Sequence, residues 1–252
     1  MRFKHEWRSR DGKVRLIHGD ALRVLPALEP GFDAVVTDPP YSSGGLFRGD
    51  RMASTRTKYV ETGAQHTLPD FSGDNKDQRS YLRWSTLWLQ ACRELVTPGG
   101  LCCVFTDWRQ LPTTTDAIQC AGWIWRGIAV WMKTNSRPVL GRYNNQCEYV
   151  VWGTFGPRVC KGPTSAGGIV ESSPRLRQHV TQKPERVMHW LLEPLPGGRV
   201  LDPFAGSGTT LVACLQRGQS AVGIEQDRVI FDQAVERLAA AEASAPTTSI
   251  AS

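Results

Sequence analysis

The chain has 252 residues, 40% of them hydrophobic and 21% charged, and carries a formal net charge of +6. That length suits a sizeable core in one α/β domain with insertions, no apolar run of membrane length is present, and the opening MRFKH is not expected to be a signal peptide. The seven cysteines are an odd number without any C-x-x-C pair, which argues against a disulfide or metal framework and for small buried hydrophobes in a reducing cytosol.

Residues 15–20, RLIHGD, read as a short strand ending in Gly19-Asp20, with a helix over 21–28 behind it. The next stretch, DAVVTDPPY at 33–41, is a β-branched apolar run stopped by an acid and two prolines. Proline fixes φ and removes an N–H, and the residue before it is pushed into extended geometry. Taken alone, the stretch is a strand end followed by a stiff proline turn. Residues 42–80 show neither helical nor strand periodicity, and a loop of that length is uncommon unless it has a function or is disordered. Trp84, Leu87, Trp88, Ala91 and Leu95 then recur at helical spacing, with TPGG at 97–100 as the expected stop. LCCVFT at 101–106 is another buried strand, and residues 123–133 and 148–152 read as a pair of edge strands. A second irregular region covers 153–180.

From Pro184 the pattern alternates strictly. Pro184 suits the first turn of a helix running to Leu192. RVLD at 199–202 is a strand, PFAGSGTT at 203–210 a glycine turn, 211–216 a helix, and SAVGIE at 220–225 a further strand. The last helix carries Phe231, Ala234, Val235 and Leu238 on one face, and the tail over 243–252 is expected to be disordered. Charge is unevenly spread: between Lys133 and Arg186 nine basic residues face three acids, which makes a polyanion partner plausible beside the plainer reading of a solvated face.

Strand, Gly206-Ser207-Gly208, helix, strand and then Glu225 is the order of a nucleotide-binding βαβ unit, in which the strand-tip acid can take both ribose hydroxyls. Leu211 stands where a dinucleotide fingerprint wants a third small residue, and no lysine follows the glycines as in a P-loop. An adenosyl ligand without a pyrophosphate therefore fits better than NAD or ATP.

With DPPY at 38–41, DPFAGSGT at 202–209 and TQKP at 181–184, supported by Gly19-Asp20 and Glu225, the chain resembles the amino-methylating (adenine-N6 or cytosine-N4) DNA methyltransferases. The DPPY motif precedes the cofactor motif, as in the permuted β group of that family. The resemblance spans roughly residues 14 to 240. It implies a single α/β, Rossmann-like domain over 1–242 with a mostly parallel sheet and an antiparallel edge. A mobile catalytic-loop insertion would cover 42–80 and target-recognition segments 134–180.

S-adenosyl-L-methionine is the cofactor so implied, double-stranded DNA the partner, and a cytoplasmic, bacterial or phage-encoded enzyme the setting, without a metal and without a membrane. Dimers occur in the resembling group, and neither a partner nuclease nor the recognition sequence can be read from these residues. Asp38 and the Pro39 carbonyl would accept the two hydrogens of the target amine, Pro40 would stiffen the loop, and Tyr41 would stack on the extruded base. Phe204, Gly206, Ser207, Gly208 and Thr209 would cradle the methionine part of the cofactor. Glu225 would hold the ribose, Asp20 would lie near the adenine, Asp202 near the amino group, and Lys183 would meet the carboxylate. His179 is given a structural role, and Trp108 is a candidate for lining the site. Arg137, Arg142, Arg158, Lys161, Arg175 and Arg177 are expected at DNA phosphates, with Arg48, Arg51, Arg56 and Lys58 closing over the duplex. The acid in DPPY favours adenine over cytosine, because the cytosine-N4 relatives more often carry serine there. An RNA or protein-amide methyltransferase also uses a D/N-P-P-Y loop but usually places the cofactor motif first, and a non-catalytic DNA-binding protein on the same scaffold predicts lost motif residues.

Overall fold

Alternation within the DAVVT strand explains much of the architecture. In β3 (Phe32–Thr37), Ala34 and Val36 point into one apolar cluster and Phe32 and Val35 into another, all fully buried. A strand covered on both faces must be flanked by helices on both, and each buried valine contributes about 1.5–3 kcal/mol over an exposed one. The computed structural model describes residues 3–41, 76–136, 140–141, 143–159, 164–173 and 183–244.

Around β3 lie β1 (Glu6–Arg8), β2 (Val14–His18), β4 (Val96–Thr106), β5 (Ile124–Met132), β6 (Cys147–Thr154), β7 (Gly168–Val170), β8 (Val200–Asp202) and β9 (Ala221–Glu225). Their spatial order is β1-β2-β9-β8-β3-β4-β6-β5-β7. The run from β2 to β4 is parallel, β4-β6 and β6-β5 are antiparallel, and β1 closes one edge antiparallel to β2. Helices α1 (Ala21–Val24), α2 (Gln78–Leu95) and α3 (Leu111–Cys120) pack on one face; α4 (Glu185–Leu191), α5 (Thr209–Gln216) and α6 (Arg228–Ser244) pack on the other. This is an α/β fold with a mostly parallel sheet and an antiparallel portion. From β3 the chain crosses to β4 on one side, and from β8 to β9 on the other. The gap between β3 and β8 is thus a switch point, where ligands bind beyond the strands' carboxyl ends.

Several expectations shift. Helix α2 stops at Leu95 and TPGG lies inside β4. The glycines serve a close approach there, since a Cβ on Gly100 would sit 2.9 Å from the Asp33 carbonyl oxygen. β6 is interior rather than an edge strand, and β7, in a region read as irregular, pairs with β5. Pro184 is the N-cap of α4, not part of its first turn. Leu87, expected on the buried face of α2, is 49% exposed. Cys92, Cys102, Cys103 and Cys214 are buried as expected, whereas Cys120 is exposed.

Candidate active site

Ladder pairing sets Ala34 beside Val200 and Val35 beside Leu201, so Thr37-Asp38 and Asp202 emerge from neighbouring strands at the same end. Two motifs more than 160 residues apart in sequence thereby meet. The Thr37 hydroxyl donates to Asp202 Oδ1 at 2.7 Å, and the Phe204 amide donates to the same oxygen at 3.1 Å, stapling the cofactor turn to the DPPY strand. Burial pushes the Asp202 carboxyl up to about 6 despite those bonds.

On the catalytic side, Asp38 Oδ2 takes the Lys183 ammonium and Asp38 Oδ1 takes the Tyr41 hydroxyl. Glu148, from β6, lies 3.1 Å from Lys183 Nζ and 3.2 Å from Tyr41 Oη, and also binds Lys133. Because β6 runs antiparallel to β4, its first residues sit at the carboxyl ends of the parallel strands. Two lysines and two carboxylates thus balance each other in a largely buried cluster. Burial opposes ionisation of Glu148, but Lys183 and Lys133 outweigh it and bring the group down to about 2. For Asp38, burial and the nearby Glu148 charge win over Lys183 and raise its carboxyl. Burial would lower Lys183, yet its two carboxylate partners raise it. Tyr41 is pushed well up by burial and by Asp38 and Glu148, so the phenol keeps its proton as a donor.

On the cofactor side, Gly206 and Gly208 adopt φ of +51° and +77°. Among the described residues nothing lies within 4 Å of a Cβ placed on Gly206, and its positive φ selects glycine there. Glu225 accepts from the Gly206 amide at 2.9 Å and the Asp227 amide at 2.7 Å, and burial lifts it to about 7. A half-buried carboxylate whose partners here are main-chain amides fits a ligand that offers hydroxyl donors. Beside it, Phe204 packs against Trp84 and Trp88 with ring centroids 5.2 and 5.1 Å apart.

The remaining site residues are placed as follows. Lys183, expected at the cofactor carboxylate, is instead only 5% exposed and engaged by Asp38 and Glu148. Asp20 caps α1 through the Arg23 amide at 3.2 Å. The Ser207 and Thr209 hydroxyls are held by Arg237 at 3.3 and 2.9 Å. Arg158 is corrected: its guanidinium donates to the carbonyls of Gly99 at 3.0 Å and Pro194 at 2.9 Å, which makes it a strut instead of a free phosphate ligand. Trp108 is 48% exposed, with the Arg109 guanidinium 5.0 Å from its ring. Arg48, Arg51, Arg56, Lys58, Arg137, Arg142, Lys161, Arg175, Arg177 and His179 lie outside the described residues. Sequence reading missed Glu148, Lys133 and Arg237. An acid at the start of an apolar strand was the available signal for Glu148.

The profile of the N6/N4 DNA methylases matches residues 32–159 and 155–236. The chain belongs to this family. YubD of Escherichia coli (strain K12) is 33% identical over 239 residues, covering 90% of this chain and 91% of YubD. In fold, the crystal structure of the M1.HpyAVI-SAM complex superposes with a TM-score of 0.64 at 24% identity, covering 89% of this chain and 99% of that one. The PvuII DNA methyltransferase (cytosine-N4-specific) superposes with a TM-score of 0.68 at 13% identity, covering 96% and 95%. The protein is an S-adenosylmethionine-dependent DNA amino-methyltransferase of this family. Among the described residues no helix is long and apolar enough to cross a membrane.

Proposed function

We propose that the chain methylates the N6 amine of adenine in double-stranded DNA. The observation that carries this reading is an acid, Asp38, at the tip of the strand beside the cofactor turn, where a serine would favour cytosine. An exocyclic amine is a poor nucleophile because its lone pair is delocalised into the ring. Asp38 accepts one N–H and the Pro39 carbonyl the other, which draws the nitrogen toward a tetrahedral shape. The Tyr41 ring stacks on the flipped base, returning about 1–3 kcal/mol of the cost of extrusion. Bound S-adenosylmethionine supplies the electrophilic methyl, with Glu225 on its ribose and the 204–209 turn around its methionine part; the protein's work is largely positioning. Trp108, with Arg109 against it, lines the rim. The basic side chains at 48, 51, 56, 58, 137, 142, 161, 175 and 177 supply phosphate contacts, so affinity for DNA falls steeply with salt.

Expression in a methylation-free host, followed by digestion of the DNA to nucleosides, tests the base. N6-methyladenine is expected, and N4-methylcytosine in its place would overturn the assignment. Asp38→Ala should abolish transfer and leave S-adenosylmethionine affinity within about threefold, since the residue positions the amine and not the cofactor.

A further inference from the structure

Asp38 is engaged before any substrate arrives. Each of its oxygens keeps a second lone pair, but a carboxylate already serving an ammonium and a phenol is a weakened acceptor for an amine N–H. The same two donors share another acceptor. Glu148 Oε2 stands 3.1 Å from Lys183 Nζ and 3.2 Å from Tyr41 Oη, while Lys133 on Oε1 fixes how the carboxylate is turned. Tyr41 has one hydroxyl proton, so it can serve only one of the two carboxylates at a time.

We propose that Glu148 is a positioning residue for methyl transfer: Lys183 and Tyr41 move from Asp38 onto Glu148 when the target amine takes their place. The transfer needs only rotation about the ends of two side chains already within reach. It also leaves the number of buried charges unchanged, with two lysines against two carboxylates before and after. An uncharged amine therefore enters without stranding an ion, the costly alternative in a buried site. Relieved of the ammonium, Asp38 faces the amine with its full charge. Lys183 thus belongs to the catalytic half of the site and resets Asp38 when the product leaves.

This inference rests on Asp38 as the amine acceptor, so the test runs Glu148→Gln beside Asp38→Asn, with unmethylated genomic DNA as substrate. Glutamine keeps the shape of Glu148 and removes its charge, leaving Lys183 with Asp38 as its one anionic partner among the described residues. The expected result for Glu148→Gln is a kcat lowered about a hundredfold, as for a misplaced catalytic group, with S-adenosylmethionine affinity unchanged within about threefold. The acid limb of the kcat profile should also move to lower pH, because the neighbouring charge that opposes ionisation of Asp38 is gone. A kcat within threefold of the unsubstituted enzyme, a loss of cofactor affinity equal to the loss of rate, or an unmoved acid limb would each overturn the role of Glu148. Full activity in Asp38→Asn would instead overturn the reading of Asp38, so the two failures are distinguishable.

Discussion

On the proposed reading, a single half-buried carboxyl, Glu225, makes cofactor binding depend on pH. It sits at the tip of β9 with main-chain amides as partners, and burial raises it to about 7. Two ribose hydroxyls need an ionised acceptor, because a protonated carboxyl gives up one acceptor site to its own hydrogen. Affinity for S-adenosylmethionine should therefore fall as pH drops, to about tenfold weaker at pH 6 than at pH 8 if only the ionised form binds well. Calorimetric titration across that range checks this, and Glu225→Gln should flatten the dependence while weakening binding throughout. Wild-type affinity that is level from pH 6 to pH 8 would remove Glu225 from the ribose. Its place at the strand tip beside the glycine turn was legible from sequence because the signal is local: an acid ending a strand a fixed distance beyond a glycine turn. Glu148 was not, since 107 positions separate it from Tyr41 and only the antiparallel return of β6 brings them together. Lys183 looked like an ordinary lysine before a helix, and its burial depends on partners contributed by two other strands.

At the scale of elements, the cofactor turn is braced by a helix that no motif marks. Arg237, midway along α6, donates to the Ser207 carbonyl at 3.2 Å, to the Thr209 hydroxyl at 2.9 Å and to Glu185 at 2.7 Å. Glu185 opens α4 two residues after Lys183, so one guanidinium ties the glycine turn to the segment that reaches Asp38. A planar fork can bridge such groups, which a single ammonium cannot. Arg237→Met should weaken S-adenosylmethionine binding about tenfold and cost about 2 kcal/mol of stability, from hydrogen bonds to a charged group. Cofactor titration and denaturant unfolding measure the two effects, and unchanged cofactor affinity would show that the turn holds its shape unaided. The same scale explains which elements the sequence made legible. β3 and β8 could be placed because buried parallel strands read as continuous apolar runs ending at a motif. The equally short β7 could not, as its residues are largely exposed and it ends at no motif. The position of β6 inside the sheet is a matter of pairing, and pairing partners are not written in a strand's own pattern.

For the molecule as a whole, the switch point between β3 and β8 gathers acids whose protonation opposes one another across the pH scale. Asp202, raised from 3.8 to about 6, and Glu225, raised from 4.5 to about 7, hold their protons more tightly folded than unfolded. Their contribution to stability is complete below the unfolded values and is lost as pH climbs through the folded ones. Glu148 has the opposite sign: lowered from 4.5 to about 2, it contributes above pH 4.5 and loses that contribution as pH falls toward 2. Together the three groups favour the ligand-free fold most near pH 4, where the gain from Glu148 and the loss from Asp202 balance, and two of them weaken it steadily toward neutrality. On the proposed reading, S-adenosylmethionine binds the ionised form of Glu225 and so acts against that decline. The melting-temperature increase produced by saturating cofactor should accordingly be larger at pH 8 than at pH 6, while the ligand-free protein melts lower at pH 8 than at pH 6. Thermal unfolding with and without cofactor at both values measures this directly. Equal shifts at the two values would mean that the acids of the switch point are not linked to cofactor binding.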